Sequence, residues 1–428
     1  MKIWRIATAV TSALVLAAVS APPAGAGVLQ PETPSRVRES GPTDAGSGLA
    51  PSVPTGRVDL MAVQQALNQA VAAGVPGIAY LIRDGTRTTV LTSGEANVAT
   101  HRPMTAKDRF RIASIAKTYL AAIVLQLEAE HRLNLDAPVG RWLPGLLPDG
   151  DKITARQLLG HTSGLFDYAE DPRFNYLTDP LRVWDPVDLV RLGTSHPLLF
   201  VPGTDFTYSN TGYIVLGLLV ERITGQKLEQ VFDRRILRPL SLRDTYFATG
   251  PAILGRHARG YTVDATGLRD ITRIDASNVW AAGALIATVG DVATFFRALL
   301  DGRVLPARQL AEMKQFRDLG DGFGYGLGLM RQQYPCAVVL GHTGGGLGVS
   351  TDSAQTIDGA RQAVVFANTE AIPEAAYQWF QRAAELTFCG SRPPLGSRYA
   401  FGQITAVPQR VGLPIHRYRG RGLHRQHE

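Results

Sequence analysis

The strongest constraint on the fold is the order in which two hydrophobic periodicities follow one another. Strand-like apolar runs stand near both ends of the patterned region, and a spacing of three to four residues fills its middle. The region opens on a helical spacing through Val58, Leu60, Val63, Leu67, Ala70 and Val71. Strand-like runs follow at residues 77–82 and 88–93, and Arg83, Asp84, Gly85 and Thr86 between them carry a hairpin turn signal. From about residue 113 the pattern is helical. Ile115, Leu120, Ile123, Val124 and Leu127 mark one helix. Tyr213, Leu216, Leu219, Val220 and Ile223 mark another, with Gly225 as its cap. Strand-like runs return at 326–330, 337–340, 348–351 and 362–367, and a last helix is predicted over 373–388. Strands from both ends of a region belong in one sheet when helices separate them. The order therefore predicts a single discontinuous α/β unit with an all-helical insertion. With 45% hydrophobic and 19% charged residues, the chain has the material for a sizeable core.

The flanks of this region have a different composition. Lys2 and Arg5 precede an apolar stretch over residues 6–19, and Ala24-Gly25-Ala26 supplies a small-x-small cleavage site. This predicts a secretory signal peptide over 1–26; the alternative is an uncleaved anchor, which the shortness of the run disfavours. Residues 27–56 are rich in Pro, Ser and Gly and read as a disordered linker. Residues 392–428 hold seven Arg and one Glu and read as a basic, poorly ordered tail. The formal charge of +7 sits in the flanks, and residues 57–391 sum to zero, which argues against a nucleic-acid surface. The folded domain is predicted over 57–391, its α/β part at about 57–112 and 290–391 and its helical part at about 113–289. No later apolar run is long enough for a transmembrane anchor, so the mature chain is expected to be secreted. Cys336 and Cys389 are the only cysteines. In an exported chain an even pair reads as one disulfide; two separate buried thiols are the alternative.

Three short motifs carry chemistry. Ser114 and Lys117 stand three apart where the first middle helix begins, so hydroxyl and amine can meet on one face. A serine becomes a nucleophile when an adjacent base takes its proton, and a desolvated lysine can do so. Taken alone, the pair also suits a solvated Lys beside a capping Ser. Tyr208 and Asn210 lie in a loop leading to the next helix, where a phenol can relay protons and an amide can bond a substrate. The plainer alternative is a loop Tyr with a helix-capping Asn. Gly341-His342-Thr343-Gly344-Gly345-Gly346 continues a strand whose glycines admit a close backbone or substrate, with a free N–H as half an oxyanion hole. A Gly-rich hairpin with an exposed His is the alternative.

Together, and in this order, the three motifs resemble the signature of the penicillin-recognising serine hydrolases. The resemblance extends over nearly all of 57–391. It takes in the block from Ile153 to Leu165 that contains His161-Thr162-Ser163-Gly164-Leu165, then Pro202-Gly203 and Gly212-Tyr213. Ala282-Gly283-Ala284-Leu285 and Tyr325-Gly326-Leu327-Gly328-Leu329 belong to it as well. With His-Thr-Gly replacing Lys-Thr-Gly, the chain is most similar to the secreted D-alanyl-D-alanine carboxypeptidase/transpeptidases of actinomycetes. Class C β-lactamases, D-aminopeptidases and β-lactamase-like esterases are their relatives. The resemblance implies an antiparallel sheet flanked by N- and C-terminal helices with a large helical insertion. It also implies a monomeric enzyme without metal or cofactor, acting on peptidoglycan stem peptides or related small acyl substrates and reacting with β-lactams. Ser114 would be the acylated nucleophile, Lys117 its proton acceptor and Tyr208 the proton relay. Asn210 would hold the acyl-side amide, and His342 and Thr343 would meet the departing carboxylate. The N–H groups of Ser114 and Gly345 would form the oxyanion hole, and Trp280 and Phe174 would wall the cleft.

Two positions depart from the carboxypeptidase pattern. Met330 stands where an Arg helps bind the terminal carboxylate, and Gly345 replaces a hydroxyl residue. Arg331 is expected to face away, since alternate strand residues point to opposite sides. These departures keep an esterase or D-amino-acid amidase beside the carboxypeptidase reading. A non-catalytic peptidoglycan- or β-lactam-binding module is the alternative of another class.

Overall fold

The structure, a computed structural model, describes residues 56–390. The expected signal peptide, nearly all of the linker and the basic tail lie outside the described residues. Asp59 caps the first helix, α1 (Leu60–Ala72), its carboxylate accepting from the N–H groups of Met61 and Ala62. Next come β1 (Gly77–Asp84) and β2 (Arg87–Asn97), joined through Gly85 and Thr86 at the predicted hairpin turn, then the short β3 (Arg102–Pro103). The middle contributes α2 (Ala116–Ala129), α3 (Pro186–Thr194), α4 (Asn210–Thr224) and α5 (Val289–Leu300). The chain then returns to the sheet with β4 (Arg317–Gly320), β5 (Phe323–Tyr325), β6 (Met330–Gln333), β7 (Val338–Gly346), β8 (Val349–Thr356) and β9 (Arg361–Ala367). It closes on α6 (Glu374–Cys389).

These nine strands form one antiparallel sheet in the order β3-β2-β1-β9-β8-β7-β6-β5-β4. Its centre joins the two ends of the described region, with Ile78 opposite Ala367 and Leu81 opposite Val364. Both faces are covered, and the alternation of β1 shows how. Ile78, Tyr80 and Ile82 point into a core shared with α1 and α6, whereas Ala79 and Leu81 point into the core under the helical part. Among the helices, α2 is apolar nearly all round and runs through that second core, as a helix without a polar face must.

Several details differ from the sequence reading. Residues 326–329 form a turn between β5 and β6 and not a strand. The turn is obligatory, because Gly328 has φ +70° and a Cβ there would lie 2.5 Å from Ala121 Cβ of α2. The middle also carries small β elements that its periodicity did not announce. One is a hairpin of Tyr261–Asp264 with Gly267–Asp270; the other is a three-stranded patch of Phe110–Arg111, Leu285–Ala287 and Tyr246–Phe247. Cys336 and Cys389 are bonded, with Cα atoms 5.4 Å apart, and tie the end of α6 to the β6–β7 turn.

Candidate active site

Ser114 occupies a tight turn, Ala113–Ile115, that feeds directly into α2. Its predecessor Ala113 has φ +46°, a left-handed conformation that costs a non-glycine residue on the order of 1–3 kcal/mol. The turn is pressed against β7. A Cβ on Gly344 would lie 2.5 Å from Ile112 O and 3.2 Å from Ser114 N, so only glycine lets the strand come this close. β6 pairs with β7 only as far as Gly341, while β8 follows it to Gly346. The last five residues of β7 therefore present a free edge towards the Ser114 turn. As a first-turn residue, Ser114 has an N–H that the helix itself does not use.

One turn into α2, Lys117 is wholly buried. Its Nζ contacts Ser114 Oγ at 2.8 Å and donates to Ala282 O at 2.9 Å. Burial pulls the amine down to about 7, against the opposing pull of Asp167. A large part of the lysine is thus neutral near pH 7 and placed to take the serine proton. Tyr208 completes the group. Its phenol lies beside Ser114, its ring lies 5.1 Å from Lys117 Nζ, and burial raises its pKa well above the ordinary value. Its phenol is therefore protonated at rest.

Asn210 is the first residue of α4, and its Nδ2 donates to Asp167 Oδ2 at 2.8 Å. That bond settles the amide orientation and leaves Oδ1 as an acceptor. Burial raises the Asp167 carboxyl, while bonds from Ala169 and Asn210 lower it. On β7, Thr343 Oγ1 contacts Met330 Sδ at 3.7 Å, so Met330 does sit beside the threonine. Arg331 turns away, 5.7 Å over the Phe316 ring and 3.8 Å from Asp318.

His342 differs from a strand residue poised to meet a carboxylate. It is buried, with Nε2 on the Tyr325 hydroxyl at 3.0 Å and Nδ1 on Thr343 O at 2.6 Å. Burial and the nearby Lys117 hold the imidazole down to about 3, so it is uncharged. The two aromatic residues expected to wall the cleft are occupied in packing. Phe174 lies among Tyr168, Tyr176 and Trp184. Trp280 lies over Gly217 of α4, where a Cβ would come 2.7 Å from its ring. Three residues beside the motifs escaped the sequence reading. Asp167 orients Asn210, and His161 and Tyr325 lie behind Tyr208. The two aromatics belong to blocks that the resemblance covers, but nothing in their spacing showed that they meet.

The beta-lactamase family profile matches residues 63–387. Among solved structures, the chain is similar to a D-stereospecific amidohydrolase from Streptomyces sp. The two share 37% identity with a TM-score of 0.72, over 78% of this chain and 100% of that one. It is also similar to a D-amino acid amidase from Ochrobactrum anthropi SV3, solved with L-phenylalanine amide. Identity there is 29% and the TM-score 0.70, over 76% of this chain and 97% of that one. The esterase EstB of Burkholderia gladioli is 37% identical over 188 residues, a match that spans 41% of this chain and 47% of the esterase. The chain belongs to the beta-lactamase family of serine hydrolases.

Proposed function

We propose that the chain is a secreted serine amidase or esterase that passes through an acyl-enzyme on Ser114. Ser114 Oγ attacks the substrate carbonyl as Lys117 takes its proton. The charge developing on the carbonyl oxygen meets the N–H groups of Ser114 and Gly345. Tyr208 passes a proton to the departing nitrogen or oxygen, the bond to it breaks, and the ester on Ser114 remains. A water molecule then attacks that ester, gives its proton to the Tyr208/Lys117 pair, and the acid leaves. Asn210 Oδ1 accepts an N–H of the acyl group. The disulfide, and the lack of any described helix long and apolar enough to cross a membrane, are compatible with export.

One observation carries the choice of leaving group: among the described residues, no cation faces Thr343 along the free edge of β7. His342 is neutral and engaged at both nitrogens, Met330 fills the neighbouring place, and Arg331 points elsewhere. A carboxylate on the leaving group forgoes a charge-assisted hydrogen bond of about 1.5–3 kcal/mol, roughly 10- to 150-fold in kcat/KM. The amidase relatives support the same reading. The carboxypeptidase reading, with a peptidoglycan stem peptide as substrate, is its rival.

A substrate panel tests the proposal: a D-amino acid amide, a p-nitrophenyl ester, a D-Ala-D-Ala peptide and a cephalosporin. The amide or ester should exceed the free-acid peptide by roughly tenfold or more in kcat/KM. A preference for the free-acid peptide by that factor would return the chain to the carboxypeptidases. Binding of the cephalosporin with neither turnover nor a covalent adduct would make it a binding module.

A further inference from the structure

Four groups from four separate stretches of sequence meet behind Tyr208 and Lys117: the backbone N–H of Ser209, the rings of His161 and His342, and the hydroxyl of Tyr325. All four residues are 1–2% exposed. The contacts form a line. Ser209 N reaches His161 Nδ1 at 3.1 Å, and His161 Nε2 reaches Tyr325 Oη at 3.1 Å. Tyr325 Oη reaches His342 Nε2 at 3.0 Å, and His342 Nδ1 reaches Thr343 O at 2.6 Å. Each end is a backbone group of invariant role, because an amide N–H only donates and a carbonyl only accepts.

The two ends therefore dictate every proton between them. His161 Nδ1 accepts, so its proton is on Nε2 and is donated to Tyr325. His342 Nδ1 must donate to Thr343 O, so its Nε2 is a bare acceptor and takes the Tyr325 proton. Tyr213, beside Tyr325, commits its own proton to Leu159 O at 2.9 Å and so donates none to the line. The line closes only with both imidazoles neutral. Burial, with Lys117 close to both, lowers each of them far below the ordinary histidine range.

We propose that this directed line, His161–Tyr325–His342, positions the reaction centre: it ties the Tyr208 loop to the strand edge of Thr343 and Gly345, with Tyr325 as the joint. Ser209 is the residue after Tyr208, and Thr343 is two residues before Gly345. The line thus sets the relay phenol against the oxyanion edge, and the His161 ring also lies against the Tyr208 ring, tilted by 34° with centroids 4.1 Å apart. Tyr325 touches no reacting atom and is a positioning residue. The proposal rests on the Ser114 hydrolase reading for its effect on rate, but its proton assignment stands apart from any substrate.

The test reads both. In nitrogen-15 spectra of histidine-labelled wild type near pH 7, His342 should carry its proton on Nδ1, the tautomer that free imidazole disfavours, and His161 on Nε2. Tyr325→Phe should leave the His342 proton on Nδ1, held by Thr343 O, but shift the Nε2 resonance that loses its donor, and lower kcat by about 10- to 100-fold, with KM changed less than about twofold, as expected of a geometric misplacement. Finding His342 protonated on Nε2, or doubly protonated, would overturn the assignment without recourse to any variant. A folded Tyr325→Phe protein with wild-type kcat would overturn the positioning role. Failure of the hydrolase reading alone would show differently, as intact tautomers in a protein that forms no adduct on Ser114.

Discussion

Gly344→Ala perturbs the one contact on which the site's assembly turns. The added methyl carbon would lie 2.5 Å from Ile112 O, 2.5 Å from Thr351 Oγ1 and 3.2 Å from Ser114 N. Two of these are backbone atoms in a turn that already holds Ala113 at φ +46°, so neither yields cheaply. An ordinary contact needs about 3.5 Å, so β7 and the Ser114 turn must separate by roughly 1 Å. A shift of that size at a reaction centre can cost about 100-fold, or about 2.7 kcal/mol of barrier. The proposed oxyanion donors, the N–H groups of Ser114 and Gly345, lie on opposite sides of this contact and would bear the loss. Overpacking should also lower stability by about 1–3 kcal/mol. The assay is the pre-steady-state burst of p-nitrophenol from an ester substrate, with urea unfolding in parallel. Gly290→Ala, in the first turn of α5 with its nearest neighbour Thr288 Oγ1 at 3.8 Å, is the control. It should leave the burst unchanged and stabilise by about 0.4–1 kcal/mol. A Gly344→Ala protein with a wild-type burst would show that β7 does not set the geometry around Ser114.

The remaining predictions concern the base, the nucleophile, the leaving-group subsite and the disulfide. Because the base must be unprotonated, kcat/KM should rise about tenfold per pH unit below about 7 and then level off as Lys117 loses its proton. A midpoint near the ordinary lysine value of about 10 would contradict the desolvated amine. Intact-mass spectrometry should find a penicillin adduct on wild type and none on Ser114→Ala; a fully labelled mutant would place the nucleophile elsewhere. Met330→Arg combined with Gly345→Thr should raise kcat/KM for a free-carboxylate peptide about tenfold relative to its amide, and equal gains on both would remove the argument about the missing cation. Replacing Cys336 and Cys389 by Ser should lower stability by roughly 3–4 kcal/mol. It should leave kcat unchanged, since the bond lies in the core shared with α1 and α6; a matching loss of kcat would couple that face to the site.

Local chemistry made much of this protein legible from sequence alone. The two periodicities separated sheet from helices because side chains repeat every two residues on a strand and every 3.6 on a helix. The i, i+3 spacing of Ser114 and Lys117 was sufficient to bring hydroxyl and amine together, because it is a property of one helix turn. The turn at residues 326–329 was misread as a strand because what bends it is the close approach of Gly328 to α2, a partner about two hundred residues away in sequence. The same limit governed His342. Its side chain alone suggested a group offered to substrate, but burial beside Lys117 made it neutral, and Tyr325 and the Thr343 carbonyl engaged both its nitrogens. Nor could spacing orient the Asn210 amide, which a carboxylate forty-three residues earlier decides. Residue type and near spacing determined which groups could react. Long-range packing decided their protonation, their orientation and the charge of the edge they face, because burial and hydrogen-bond partners are properties of the folded chain.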